Sequence, residues 1–264
     1  MRRLLPCLLL LVLAACKGGD TDSPVQAPGA DKSAKTKALE AGAAMLQRAP
    51  PLNALDMYLD GFHFYNGHMT GQMEAHHYCS ALNEEVNQCV IFDGNGADAK
   101  IMGVEYIISA KLFATLPEAE KPLWHSHVYE VTSGELVAPG LPDVAEHELM
   151  EKLASTYGKT FHTWHTDQDK QLPLGVPQLM MGFTQDGQID QAMVRARDQR
   201  LGVDTARERQ QRSDIKPPPV APGADAWQHG KVIQFADPTG RTHDDGHAAG
   251  AQEPAETNAR SSNP

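Results

Sequence analysis

The chain has 264 residues, of which 41% are apolar, and this length and composition allow one large domain or two small ones with a buried core. Acidic residues exceed basic ones by 34 to 23, and the net charge of −11 argues against a nucleic-acid partner, since phosphate-backbone binding depends on basic patches. The 12 histidines are the unusual feature, and because nine of them lie between His63 and His165, any histidine chemistry is expected there.

The first residues have the pattern of a secretory signal peptide. Arg2 and Arg3 precede an apolar run over residues 4–14, and these 11 residues are too few for a membrane-spanning helix, which needs roughly 20. The run ends in LAAC at residues 13–16, a string that resembles the lipobox of bacterial lipoproteins. We therefore expect residues 1–15 to be a lipoprotein signal peptide. The alternative is an ordinary secreted protein that is cleaved after a small residue.

The lipobox resemblance implies that Cys16 becomes the acylated first residue of the mature chain. Several acyl chains hold a protein to a membrane firmly, whereas one alone holds it only marginally. Lys17 follows the cysteine, and lipoproteins of enteric-type bacteria that lack Asp at this position usually go to the outer membrane. The sequence therefore predicts a protein of the cell envelope, anchored through Cys16 to the outer membrane and facing the periplasm.

The mature chain begins with a polar segment and continues with helical periodicity. Residues 16–33 are rich in Gly, Pro, Asp and Ser, which predicts a flexible tether. Apolar residues recur at helical spacing over residues 34–47, which Pro50 and Pro51 follow as a stop, and again over residues 52–65. We therefore expect two helices before the first strand.

From residue 73 onward, short strands and helices follow one another. Alternation with a period of two predicts strands at residues 73–82, 88–92, 101–109, 125–132, 159–165 and 178–184. Capping residues and helical spacing predict helices over residues 111–116, 143–157 and 188–201. Residues 231–235 are expected to add a late strand.

The order of these elements indicates the fold class. Strands and helices do not alternate regularly, which favours an α+β fold over a doubly wound sheet. We expect a single domain over residues 34–236, with a mainly antiparallel sheet packed by helices and with flexible tails on both sides. Residues 237–264 are predicted to form a disordered tail, because they lack large apolar residues.

Several long strings in the chain resemble those of the oil body-associated protein family. They are ALEAGAAMLQ at residues 38–47, GFHFYN at 61–66, EAHHYCSALNEEVNQCVIFD at 74–93, GVEYIIS at 103–109, WHSHVYEVTSGELVAPG at 124–140 and PLGVPQLMMGFT at 173–184. The resemblance covers about residues 35–236. It implies association with lipid, since plant members associate with seed lipid droplets, and it implies no established catalytic reaction.

The signal peptide, Cys16 and the long polar tail depart from the plant pattern. We therefore interpret the chain as a bacterial, lipid-anchored member of that family. Its expected role is non-catalytic association with a lipid or membrane surface. A divalent-metal-dependent enzyme or metal-binding protein is the alternative interpretation, and an interaction module that uses the acidic surface is a third.

Histidines at strand spacing are the candidate metal ligands. On the predicted strand over residues 125–132, the two histidines His125 and His127 share a face with Tyr129, while Glu130 lies on the other face. The candidate ligands are His76, His125 and His127 with either Glu74 or His162. Imidazole and carboxylate suit a divalent transition metal such as zinc. The alternative is that these histidines are partly buried and hydrogen-bonded to protein groups, with no ion.

Cys79 and Cys89 are equidistant from Glu84, the middle of a predicted hairpin turn, and are expected to face each other on antiparallel strands. Facing residues lie within disulfide range, and an envelope location permits the bond. The resembling plant proteins carry the same pair in a reducing compartment, which favours free thiols instead. Both states are compatible with the sequence.

Overall fold

Antiparallel strands close into a barrel in the computed structural model, which describes residues 19–238. The strands are β1 (Met57–Tyr65), β2 (His68–Asn83), β3 (Val86–Phe92), β4 (Ile101–Ser109), β5 (His125–Ser126), β6 (Thr156–His162) and β7 (Gln178–Met181). The ring runs β1-β2-β3-β4-β6-β7 and returns to β1, because β4 pairs with β6. The two-residue strand β5 pairs with β6 beside β7. The predicted α+β class with a mainly antiparallel sheet is confirmed.

The described chain also contains seven α-helices. They are α1 (Ala34–Leu46), α2 (Pro50–Asn53), α3 (Ala110–Ala114), α4 (Val128–Thr132), α5 (Asp143–Leu153), α6 (Gln191–Leu201) and α7 (Thr205–Gln211), with 3-10 turns at Lys121–Leu123 and Ala226–His229. Met150 and Leu153 of α5 pack with Leu59 and Ile107 of the barrel wall in one apolar cluster. That cluster closes one end of the barrel.

The β2–β3 hairpin has the predicted register. Cys79 and Cys89 are directly opposite each other, with their Cα atoms 4.0 Å apart and their sulfur atoms joined in a disulfide. Both cysteines are buried in the apolar cluster beneath α5. The bond therefore links two neighbouring strands at the closed end of the barrel.

The helix predicted over residues 52–65 is wrong. Only Pro50–Asn53 form a helical turn, and Met57–Tyr65 is the first barrel strand. Leu59 and His63 lie inside the barrel, whereas Phe62 and Phe64 pack on its outside with Phe183 and other apolar residues. A strand that is buried on both faces loses the two-residue alternation, so its apolar residues also match helical spacing.

The strand predicted over residues 125–132 is wrong beyond Ser126. The Ser126 hydroxyl accepts a hydrogen bond from the backbone N–H of Val128, and the chain turns at His127 into α4. Such side-chain-to-backbone bonds compete with strand ladders. His125, His127 and Tyr129 therefore do not share one strand face, because His127 and Tyr129 lie beyond the end of the strand. The Tyr129 hydroxyl donates a hydrogen bond to Asp186 at 2.8 Å.

No strand forms over residues 231–235, which corrects the predicted late strand. The Gln234 side chain bonds both backbone groups of Leu179, with distances of 2.8 Å to its N–H and 2.8 Å to its carbonyl. The Gln234 side chain thus makes the two backbone hydrogen bonds of Leu179 that a neighbouring strand would otherwise make.

Several predictions fall on residues outside the described range. These are the signal peptide at residues 1–15, the acylated Cys16 and nearly all of the tail at residues 237–264. The described part of the predicted tether contacts the barrel at Thr21, Ser23 and Gln26. Within residues 19–238, none of the helices combines the length and apolar character needed to cross a membrane.

Candidate metal centre

A layer of polar side chains fills the middle of the barrel. We define the interior cluster as His63 from β1, His77 from β2, Glu105 from β4, His125 from β5, His127 from the following turn and His162 from β6. Every member is at most 3% exposed. The cluster lies between two apolar layers along the strands, with Leu59 and Ile107 on one side and Tyr65 and Met180 on the other. Water is therefore largely excluded from it.

Glu105 is the centre of the interior cluster. Its carboxylate accepts contacts from three imidazoles, with Nε2 of His77 at 3.0 Å, of His127 at 3.3 Å and of His125 at 3.4 Å. His63 lies beside this group, with its Nδ1 atom 3.3 Å from Nε2 of His162. Strands that are far apart in the sequence thus direct their side chains to one point.

Gly158 on β6 provides the space for Glu105 and His125. A Cβ atom at this position would lie 2.0 Å from the Glu105 Oε1 atom and 2.8 Å from the His125 Nε2 atom. Both distances are shorter than any ordinary contact, so a side chain at residue 158 would displace Glu105 and His125 from these positions.

Burial and neighbouring charges set the protonation of the interior cluster. Burial lowers the pKa of His63 well below its usual value, lowers that of His125, and lowers that of His162 to about 3. Burial alone raises the pKa of Glu105, but the hydrogen bonds from His125, His127 and His77 outweigh it, and the pKa lies well below the usual value. Glu105 is therefore ionised and the imidazoles of His63, His125 and His162 are neutral, which are the protonation states that bind metal ions.

Several buried nitrogen atoms of the interior cluster lack hydrogen-bond partners among the described residues. They include Nδ1 of His77, His125 and His162. Buried polar atoms are normally satisfied, so such a concentration calls for an explanation, and an ion is one. His63, Glu105 and His125 can each offer one ligand atom, with these atoms all within 4.8 Å of one another. The residues present therefore fit a divalent transition metal.

The carboxylate of Glu130, on α4, lies beside His125 of the interior cluster. Its Oε2 atom lies 3.9 Å from Nε2 of His125, and a Cβ atom on Gly182 would lie 2.6 Å from it. Burial, together with the charge of Glu105, raises the pKa of Glu130 well above its usual value. A second group of possible ligands, His125, His127 and Glu130, shares His125 with the first.

His76 and Glu74 belong to a different group on the outside of the barrel. His76 contacts Asp60 at 3.0 Å and Glu74 at 3.3 Å, and α6 covers them with two arginines. Arg197 bonds Asp60 at 2.8 Å, and Arg200 bonds Glu74. These cations already balance the carboxylates, so this group is a network of ion pairs.

The predicted ligand set is therefore divided by the barrel wall. His125, His127 and His162 lie in the interior cluster, whereas His76 and Glu74 lie outside it. Sequence reasoning missed His63, His77 and Glu105 as candidates. The two-residue period gave a signal for His77, because it places His77 on the face opposite His76.

Comparisons with known proteins identify the family of the chain. The model of a family described as "Protein of unknown function (DUF1264)" matches residues 49–216. Oil body-associated protein 1A of Zea mays is 46% identical over 194 residues, which cover 74% of this chain and 82% of that protein. The chain belongs to the oil body-associated protein family.

Further relatives in the oil body-associated protein family extend the match. Oil body-associated protein 1B of Arabidopsis thaliana is 43% identical over 198 residues, covering 75% of this chain and 82% of the relative. Oil body-associated protein 2C of the same plant is 37% identical over 223 residues, covering 83% and 93%. No solved structure gives a significant match. The family assignment thus covers the whole barrel and brings no known site chemistry with it.

Proposed function

We propose that the barrel of this protein binds one divalent transition-metal ion, such as zinc, in its interior cluster. The observation that carries the proposal is the convergence of His63, Glu105 and His125, fully buried and from three separate strands, with ligand atoms within 4.8 Å of one another. A carboxylate and neutral imidazoles are ligands that zinc and related ions take. The cost of burying these groups without an ion supports the same conclusion.

The donor set also limits what the ion can do. Three protein ligands leave a position open on a four-coordinate ion, as in catalytic zinc sites, whereas a fourth ligand closes the site. His77 and His127 contact Glu105, and His162 contacts His63, so these three histidines are the nearest candidates for that fourth position. A closed site supports a structural or metal-binding role, and an open one supports a metal-dependent enzyme.

A cobalt titration of the chelator-treated protein tests the metal proposal. We expect one equivalent of Co²⁺ to produce visible absorption bands and to raise Tm, because a ligand that binds only the folded state stabilises it. Glu105→Gln is expected to weaken binding at least about tenfold. Glu118→Gln, whose carboxylate is 83% exposed, is the matched control and should bind as the native chain does. Equal binding by both variants, or no bands at all, would contradict the proposal.

A second candidate function, association with a lipid surface, is favoured by a separate observation. The LAAC string at residues 13–16 resembles a lipobox, and the related plant proteins are named for their association with oil bodies. We infer that Cys16 is acylated and anchors the protein to the outer membrane, where the barrel faces the periplasm. This role does not require a reaction, and it is compatible with a bound metal ion.

Metabolic labelling of cells with a palmitate analogue tests the anchor. The native chain should incorporate the label and fractionate with membranes, whereas Cys16→Ser should carry none. Cys7→Ser is the control, since this cysteine lies within the predicted signal peptide. Labelling that persists in the Cys16→Ser chain would exclude the anchor.

A further inference from the structure

An apolar groove lies on the outside of the barrel, where α2 meets β2 and β3. Leu52, Leu55, Tyr78 and Phe92 line it with the small residues of the loop after β3, and its volume is about 330 Å³. The ring of Tyr78 stacks on Tyr58 and meets Phe92 edge to face. The floor of the groove is therefore built of mutually packed aromatic rings.

The lining of the groove carries no charged side chain. Leu52 is 66% exposed, so a ligand that fills the groove would bury apolar surface. A hydrocarbon chain satisfies these conditions, because it brings no polar groups that would need partners there. A peptide would bring backbone N–H and carbonyl groups.

The N-terminal segment of the described chain is held at the rim of this groove. The backbone N–H of Thr21 donates to Oδ1 of Asn95 at 2.6 Å, and the N–H of Asn95 donates to the Thr21 carbonyl at 3.2 Å. The Ser23 hydroxyl donates to Asp93 at 2.7 Å. Thr21 also packs closely on Gly94, a residue of the groove lining, where a Cβ atom would lie 2.3 Å from the Thr21 carbonyl oxygen.

Cys16 is five residues before Thr21. Five residues span at most about 18 Å, so an acyl chain on Cys16 can reach the groove from Thr21. We propose that the groove binds an acyl chain carried by Cys16 of the same molecule. The proposal rests on the inferred lipid anchor and gives it a specific site on the barrel, independent of the interior cluster.

Binding of its own acyl chain gives the protein two states. In one state the chain lies in the groove and is shielded from water, and in the other it inserts into a bilayer. The contacts of Thr21 and Ser23 hold the described start of the chain against the loop after β3.

Photocrosslinking in the full-length protein tests the proposal. Cells are grown with a fatty acid that carries a photoreactive diazirine and a terminal alkyne, and the purified protein is irradiated in detergent. Mass spectrometry is expected to find the Cys16 lipid joined to groove residues, such as Leu52, Tyr78 or Phe92. Ala97→Trp, which fills the groove at an exposed position, should lower the yield at least about tenfold.

Ala206→Trp is the matched control, because Ala206 is also exposed and lies on α7 outside the groove. It should crosslink as the native chain does. Crosslinks only to detergent, to phospholipid or to other parts of the barrel would overturn the groove proposal while leaving the anchor intact. If no label reaches Cys16 before irradiation, the anchor itself fails, and the groove proposal fails with it.

Discussion

At the scale of single residues, Gly158 leaves the space that Glu105 and His125 occupy in the interior cluster. Gly158→Ala places a methyl group closer to Glu105 and to His125 than an ordinary contact allows. We expect the free energy of unfolding to fall by about 1–3 kcal/mol, as overpacking of a tight interior usually costs, and metal binding to weaken. Urea unfolding and cobalt titration measure the two effects.

Gly42→Ala is the control for Gly158→Ala. Gly42 lies on α1, where an added Cβ atom meets nothing within 4 Å, and α1 has no buried residues. Alanine also has a higher helix propensity than glycine, by up to about 1 kcal/mol, so this variant should be at least as stable as the native chain. A Gly158→Ala protein that is equally stable would contradict the packing described for the interior cluster.

Asp225 gives stability a pH dependence of its own. Burial raises the pKa of this carboxyl from 3.8 to about 7, against a hydrogen bond from the N–H of Ser126. Below about pH 4 both the folded and the unfolded states bind the proton. As the pH rises towards 7, the unfolded state releases the proton first, so the free energy of unfolding falls by up to about 1.4 kcal/mol per pH unit.

Asp225→Asn is expected to remove this contribution between about pH 4 and pH 7. The amide oxygen can still accept the bond from Ser126, and asparagine adopts the positive φ of 50° at this position readily. The variant should therefore be more stable than the native chain at and above neutral pH. Denaturant unfolding of the metal-free proteins at several pH values provides the measurement. If the free energy of unfolding depends on pH equally in both proteins, the raised pKa of Asp225 is refuted.

At the scale of elements, a buried ion pair fixes α6 on β1. Arg197 and Asp60 are both fully buried and 2.8 Å apart. Arg197→Met should destabilise the protein by about 3–5 kcal/mol, because Asp60 is left as a buried carboxylate without its guanidinium partner. The double variant Asp60→Asn/Arg197→Met should recover part of this loss.

Arg207→Met is the exposed counterpart, since Arg207 and Asp143 form an ion pair with side chains that are 55% and 65% exposed. Its effect on the free energy of unfolding should stay below about 1 kcal/mol. Thermal or urea unfolding separates the two cases. Equal losses in both variants would show that burial does not decide the strength of the Arg197 pair.

The strands that the sequence predicts correctly are those with one face towards the barrel interior and one more exposed. On β4, Val104 and Tyr106 are exposed while Glu105 and Ile107 are buried. This alternation with a period of two predicts the strand from the sequence alone. β1 lacks this contrast because both of its faces are buried. The register that pairs Cys79 with Cys89 is also predicted correctly, because both cysteines are equidistant from the hairpin turn at Glu84. This local spacing does not depend on how the other strands are arranged.

The composition of the interior cluster depends on the closed shape of the whole molecule. His63, Glu105 and His162 meet because β4 pairs with β6 and β1 pairs with β7, and these pairings join strands that are far apart in the chain. Periodicity assigns a residue to a face of its own strand, but it does not indicate which strands are neighbours. The sequence therefore predicted that His125 and His127 belong to one group, but it also placed His76 and Glu74 in that group, and these two lie outside the barrel.

The metal content of the natively purified protein tests the central proposal most directly. Mass spectrometry of the elements should find about one equivalent of a divalent transition metal in the native chain, and far less in the double variant His63→Ala/His125→Ala. His147→Ala, whose imidazole is 30% exposed and paired with Asp214, is the control and should retain the metal. Less than about a tenth of an equivalent in the native chain, or equal content in all three proteins, would contradict a metal site in the barrel.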